Sequence, residues 1–272
     1  MRFHRLAAAF VLACAVSAAP ILAQAPAPAQ ADANELAKQQ QNPISSLVSI
    51  PLQFNFNTGG GLEDQGFLLL NAQPVIPFRL SDGWNAVSRT VVPIASMPGP
   101  DGTRSSGVGD IQLQLYLTPS KSQKVVWGAG PVVSAPTATL SGLQTGSWAA
   151  GPTFVALTMP GPWVIGALVN NLWTFSDAGD EPKMNQFLLQ PFVNFNFGKG
   201  WAIASVPLIT ANWDAESGQQ WTVPIGAGIS RTTVFSGRPM VLAVHYYHNV
   251  VHPDAAAGGQ LRFMWVLLFP KK

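Results

Sequence analysis

The side chains best suited to chemistry are few and poorly placed for it. Beyond the N-terminal stretch the histidines are His245, His248 and His252. His245 and His248 lie three positions apart, which on a strand puts them on opposite faces and denies them a shared metal or base site. No serine stands in a nucleophile-elbow pattern, and no helical His-Glu motif is present. Asp214 and Glu216 form a spaced carboxylate pair, a type used in acid–base catalysis, but they fall in a polar loop where carboxylates are solvated. Gly128-Ala129-Gly130 and Gly226-Ala227-Gly228 share glycine spacing with nucleotide loops, yet neither opens a helix. In strands such glycines mark bends or close approach. The residues therefore predict no catalytic group, no metal set and no cofactor.

A different pattern carries the information. Ile50, Leu52, Phe54 and Phe56 alternate with Gln53, Asn55 and Asn57. Ile111, Leu113, Leu115 and Leu117 alternate with Asp110, Gln112, Gln114 and Tyr116, and Leu261, Phe263, Trp265, Leu267 and Phe269 with Gln260, Arg262 and Met264. A period of two puts each set on one face of a strand. The second face carries amides, which suits a wetted or filled lumen. On this parity the lumen-lining candidates are Gln53, Asn55, Arg89, Asp110, Gln112, Gln114, Arg231 and Arg262. Arg89 and Arg231 fall in the inner half and Asp110 near the outer end of its strand, so the expected bias of an open pore is toward anions.

These residues are positioned by segments near 47–57, 67–79, 84–96, 108–118, 125–137, 148–158, 163–175, 186–197, 201–212, 220–234, 239–250 and 260–269. Each is about the length a tilted strand needs to cross the hydrocarbon layer. Their connections switch between tight and long. Ser81-Asp82-Gly83, Pro119 to Lys124, Met159-Pro160-Gly161-Pro162, Gly198-Lys199-Gly200 and Ser236-Gly237-Arg238 are tight. The stretches 58–66, 97–107, 138–147, 176–185, 213–219 and 251–259 are longer. Strands that run up and down a membrane, with short periplasmic turns and longer outer loops, produce this sorting. The expected fold is all-β: an antiparallel transmembrane barrel of about twelve strands.

The N-terminus agrees. Basic Met1 to Arg5 precedes the apolar run Leu6 to Ala19, the layout of a signal peptide and shorter than the about 20 residues a spanning helix needs. Cleavage after Ala23-Gln24-Ala25 fits the small-x-small rule, although Pro26 follows; Ala29-Gln30-Ala31 before Asp32 is the alternative. The expected organisation is a signal peptide at 1–25 (or to 31), a segment at 26–46 acting as a periplasmic or plug element, a barrel at 47–269 and a tail at 270–272. Within the segment, Asp32 to Gln41 has the signals of a short helix, with Asp32 or Asn34 as cap and Pro43 as stop. The single cysteine, Cys14, sits in the apolar run, so removal of the signal leaves no thiol. Charged residues make up 10% of the chain, against about 25% in typical globular domains. A net charge of +2 without a Lys/Arg run argues against nucleic-acid binding.

Trp84, Trp127, Trp163 and Trp201 each begin a segment just after a tight turn, where indole rings would form an interfacial girdle. Acids gather in the long loops, among them Glu63, Asp64, Asp101, Asp177, Asp180, Glu181, Asp214, Glu216 and Asp254. Such a rim would meet lipopolysaccharide through divalent ions. Against the barrel stand the prolines inside proposed strands, including Pro74, Pro131, Pro152, Pro207 and Pro224, each of which removes a ladder donor.

The run Asn34 to Pro43 followed by Leu47 to Asn57 resembles the start of a bacterial family of outer-membrane proteins. Gln73 to Pro77, Trp127 to Pro131, Pro136 to Thr139, Ala150 to Thr153, Trp221 to Pro224 and the ending Leu268 to Lys271 resemble it as well. That family is grouped with a meta-pathway of phenol degradation and is often labelled neuromedin U. The resemblance implies an exported outer-membrane barrel and supplies no catalytic residues. The expected function is a passive channel or transporter for a small solute, aromatic or hydrophobic in class. The alternatives are an outer-membrane lipid hydrolase and a structural barrel with a filled lumen. Its expected partners are outer-membrane lipid and lipopolysaccharide, the barrel-assembly machinery and the solute.

Overall fold

The computed structural model describes residues 33–60, 65–99, 103–121, 123–140, 143, 146–176 and 183–270. The signal sequence, both cleavage sites, Cys14 and the loop acids Glu63, Asp64, Asp101, Asp177, Asp180 and Glu181 lie outside them. Helix α1 (Ala33–Gln41) comes first. Then follow β1 (Val48–Thr58), β2 (Phe67–Ala72), β3 (Val75–Arg79), β4 (Trp84–Pro98), β5 (Arg104–Val108), β6 (Ile111–Pro119), β7 (Val125–Ala135) and β8 (Ala149–Thr158). The chain ends with β9 (Trp163–Thr174), β10 (Asn185–Gly198), β11 (Trp201–Ser205), β12 (Ile209–Asn212), β13 (Trp221–Phe235), β14 (Arg238–Val251) and β15 (Gly259–Phe269).

These strands build twelve staves, because three staves are broken in two. β2 gives way to β3 at Gln73-Pro74, β5 to β6 at Gly109-Asp110, and β11 to β12 at 206–208. Every stave pairs antiparallel with the next, and β1 pairs with β15 from Val48↔Phe269 to Thr58↔Gly259. The ring has no free edge, so its backbone groups can be satisfied within the wall, as a bilayer requires.

Alternation sets the two faces. Along β6, Gln114, Tyr116 and Thr118 are buried while Leu113, Leu115 and Leu117 are exposed. Along β14, Val241, Ala243, His245 and Tyr247 are buried while Leu242, Val244 and Tyr246 are exposed. The outward face is thus an apolar belt. At the tight-turn end it is bordered by Trp84 against Trp127 (ring centroids 6.1 Å apart), Trp163 against Phe195 (4.7 Å) and Trp201 under the Arg231 guanidinium. A second girdle borders the long-loop end, where Trp213 contacts Trp221 at 5.4 Å and Phe187 at 5.8 Å, and Trp148 and Trp173 are exposed.

The prolines sit where the ladder can spare a donor. Pro74 and Pro207 occupy the breaks, and Pro224 lies at a register shift in the β13–β14 pairing. Pro131 faces Pro152 across β7 and β8. On its other side each meets an interruption: β6 and β7 have no partners between Gln114↔Val132 and Leu117↔Ala129, nor β8 and β9 between Ala150↔Trp173 and Thr153↔Asn170. The lost N–H groups fall where no ladder bond is made.

Helix α1 is the one helix among the described residues, and it is tied to the tight-turn end. Asn34 Oδ1 accepts from the Gly200 amide at 2.9 Å, and Lys38 Nζ donates to the Gly161 carbonyl at 2.6 Å. Gln41 and Asn196 exchange amide hydrogen bonds at 3.0 Å in both directions. Leu36 and Leu47 pack with Val241, Val266 and Leu268 of β14 and β15. Ile44 joins Tyr116, Val155 and Val164 on the other side of the ring. Residues 33–47 therefore lie across the periplasmic mouth as a plug. Gly200, at φ +76°, fits this contact because a Cβ there would stand 2.2 Å from the Thr232 carbonyl oxygen and 3.3 Å from the Ala33 methyl.

Candidate functional site

Above the plug the inward faces enclose two chambers. The inner one, about 150 Å³, is floored by Gln40 to Pro43 and walled by Gln53, Gln73, Arg89, Gln190, Asn194, His245 and Arg262 among others. The outer one, about 210 Å³, is lined by Asn57, Thr210, Thr222, Asn249, Gln260 and again Arg262. Arg262 thus stands at their junction.

A continuous belt of side-chain hydrogen bonds crosses the wall at this level. Tyr116 Oη reaches Thr153 at 3.0 Å and donates to Gln114 Oε1 at 2.8 Å. Arg89 donates to Gln114 at 3.1 Å and to Gln73 Oε1 at 2.6 Å. Gln73 donates to Gln53 at 3.3 Å and Gln53 to Asn55 at 3.0 Å. Arg262 Nε donates to the same Asn55 Oδ1 at 3.0 Å, its Nη2 to Gln260 at 2.8 Å and its Nη1 to the Val206 carbonyl at 3.1 Å. Each link holds the next side chain in one rotamer.

The break at 206–208 takes part directly. The Val206 amide donates to Tyr247 Oη at 3.0 Å while its carbonyl accepts from Arg262, so this piece of wall is drawn into the lumen. Tyr247 lies 4.7 Å beneath the Arg262 guanidinium and stacks near-parallel with His245, at 19° and 6.1 Å between centroids. His245 needs Gly228 opposite it, since a Cβ there would come 2.4 Å from its Cδ2. The Gly-Ala-Gly run of β13 is thus a seat for a ring and not a phosphate loop.

Gln53, Arg89 and Arg262 line the inner chamber; Asn55 and Gln114 are buried in the belt, and Gln112 shares the inward face of β6. Two expectations need correction. Arg231 faces outward: on β13 Ser230 and Thr232 are buried, so Ile229 and Arg231 belong to the lipid side. Its guanidinium rests 5.1 Å over the Trp201 ring, a cation–π contact at the rim where a long cation can reach headgroup water. Asp110 lines neither chamber; its Oδ1 accepts from the Thr137 and Ala138 amides at 3.0 and 2.9 Å, fastening the β7–β8 loop to the β5–β6 break. Tyr116 has the lumen parity that the alternation of β6 gives it. Among the residues sequence reasoning missed are Gln73, His245 and Tyr247, which lie at a break or on a strand with apolar residues on both faces.

The comparisons with known proteins meet this architecture. No family model matches the chain, and no curated protein matches it in sequence. Among solved structures the chain is similar to an outer-membrane channel from Pseudomonas putida F1, with a TM-score of 0.61 over 82% of this chain and 96% of that one, at 15% identity. It is also similar to the NanC porin, with a TM-score of 0.51 over 82% of this chain and all (100%) of that one, at 9% identity. The fold is that of an outer-membrane β-barrel. At these identities the likeness speaks for the fold, and the function has to be argued from the lumen.

Proposed function

We propose that the chain is a solute channel of the outer membrane whose periplasmic mouth is held shut by its own N-terminal segment. The observation that carries this reading is the contrast between an apolar outer belt and a lumen whose chambers are lined by amides and guanidiniums. A barrel that served only as a scaffold would gain nothing from a polar interior with room in it. The stretches that resemble the outer-membrane family grouped with the meta-pathway of phenol degradation support the same reading and point to small solutes. Both neighbouring structures carry channel or porin in their names, which agrees with it.

The plug is removable in principle because it holds by a small set of contacts. Burying Leu36 and Leu47 contributes about 1.5–3 kcal/mol each. Leu36→Asp would remove one such contribution and set a carboxylate in an apolar seat. A change of about 3 kcal/mol shifts the closed-to-open ratio by roughly a hundredfold. The expected result is low conductance of the wild-type protein in a planar bilayer, several-fold higher in Leu36→Asp, with both forms migrating faster on a gel when unboiled. Absence of both current and liposome swelling in the two forms would leave a filled structural barrel as the better reading.

A further inference from the structure

Three features of the inner chamber point to one kind of occupant. The first is charge without counter-charge. Arg89 and Arg262 both line the chamber, and their partners in the belt are amide and carbonyl oxygens. Among the described residues none of those lining it is acidic. Buried charges are ordinarily paired. A guanidinium has five N–H groups, and the three bonds of Arg262 leave donors to spare.

The second is an orphan. His245 is only 4% exposed, lines the chamber, and neither of its ring nitrogens has a hydrogen-bond partner. Such groups are rare, because an unmade hydrogen bond keeps the full cost of desolvation. His245 stands in register with Arg262 across β14 and β15, and both rest against the Tyr247 ring. One carboxylate could therefore take a proton donor from each of the two.

The third is the remaining wall. Leu168 and Phe192 of β9 and β10, with Val206 and Val241, give the chamber an apolar side. Its volume of about 150 Å³ is that of an apolar cavity able to hold a benzene ring.

We propose that the inner chamber is a binding site for a small monocarboxylate with a compact apolar body, the carboxylate on Arg262 and His245 and the body against Leu168 and Phe192. This deepens the channel reading and rests on it for access to the chamber. Its test is titration calorimetry of the full-length protein in detergent with benzoate, benzyl alcohol and acetate. Benzoate should bind one to one. Benzyl alcohol lacks the charge and acetate the body, so each should bind at least about tenfold more weakly. His245→Phe fills the same seat with an apolar ring and Arg262→Gln removes the charge; each should weaken benzoate at least about tenfold. Retained heat-modifiable migration identifies the variants that fold, and His245→Phe alone decides the matter if Arg262→Gln does not. No benzoate binding, equal binding of benzoate and benzyl alcohol, or unchanged affinity in His245→Phe would overturn the proposal. Conductance of the wild-type and Leu36→Asp proteins keeps the two readings apart. Current without benzoate binding removes the site and leaves the channel, whereas benzoate binding without current does the reverse.

Discussion

The lumen is obstructed at two levels, and the two obstructions are held by different forces. At the periplasmic mouth, residues 33–47 are seated by leucine and isoleucine side chains and by three points of hydrogen bonding to the turn end of the wall, at Gly161, Asn196 and Gly200. At mid-height, the belt from Tyr116 to Gln260 grows out of the wall itself and is charged, cross-linked and drawn inward at Val206. The plug precedes β1 and takes no part in the strand ladder, so its release costs contacts but leaves the ladder intact. The belt cannot leave. In the proposed channel the belt would be the filter and the plug the door.

Changing each obstruction alone separates the two. The largest expected effect is the gain of conductance in Leu36→Asp. In that opened background, Arg89→Gln together with Arg262→Gln should abolish a preference for chloride over potassium in the reversal potential while leaving conductance within about twofold. Two inward-facing guanidiniums, Arg262 buried and Arg89 half-buried, without lining acids favour anions, as rings of basic side chains do. Hydrogen bonds to charged groups contribute about 1.5–3 kcal/mol each, so a lower thermal stability of the double variant is also expected. A reversal potential that stays anionic in the folded double variant would move the filter elsewhere in the lumen.

How much of this could be read from the residues differs between wall and filter. The wall was legible: loops sorted by length, alternating segments and four tryptophans after tight turns led to twelve staves, which the closed ring has. Two segments, 67–79 and 201–212, were read whole, whereas each is broken where a proline removes a donor and the stave bends. The outer girdle escaped notice because Trp148, Trp173, Trp213 and Trp221 flank loops of varied length and have no tight turn to mark them. The filter was only half legible. β1, β6 and β15 alternate amides with large apolar residues, so their inward faces could be named. β13 offers glycines on one face and Ile225, Ala227 and Ile229 on the other; Arg231 shares the parity of the isoleucines, a sign of its outward direction that its charge overrides in a reading by residue type. His245 and Tyr247 lie on a strand where leucine and valine alternate with alanine, histidine and tyrosine, so neither face looks polar. Asp110 has lumen parity yet binds the Thr137 and Ala138 amides, because parity says which way a side chain points, not what it binds.

A middle-sized effect separates the ring seat from the rest of β13. Gly228→Val would force the imidazole of His245 out of its place, since even a Cβ comes within 2.4 Å of its Cδ2 and 2.1 Å of the Val244 carbonyl oxygen. Overpacking of this kind costs about 1–3 kcal/mol. The expected outcome is a barrel that still folds, shown by its gel shift, with a lower unfolding temperature. An unfolding temperature equal to the wild type would mean that the two strands separate easily at this point.

The smallest expected effect concerns Arg231, whose removal should leave the lumen unchanged. This arginine carries the same charge as Arg89 and Arg262 and, like Arg89, lies a few residues along its strand from a tight turn, but the wall stands between it and the lumen. Charge on the lipid side of the wall, near headgroups and water, is screened within about 8–10 Å at ordinary ionic strength. Arg231→Gln in the Leu36→Asp background should therefore leave the reversal potential where it was. It loses a cation–π contact with Trp201 that contributes about 0.5–1 kcal/mol at an exposed site, so a slight drop in unfolding temperature is the only change expected. A shift in selectivity as large as that of the inner pair would put Arg231 back in the lumen and reverse the facing of β13. With it would go the seat for His245, because Gly228 and Arg231 lie on opposite faces of the same strand.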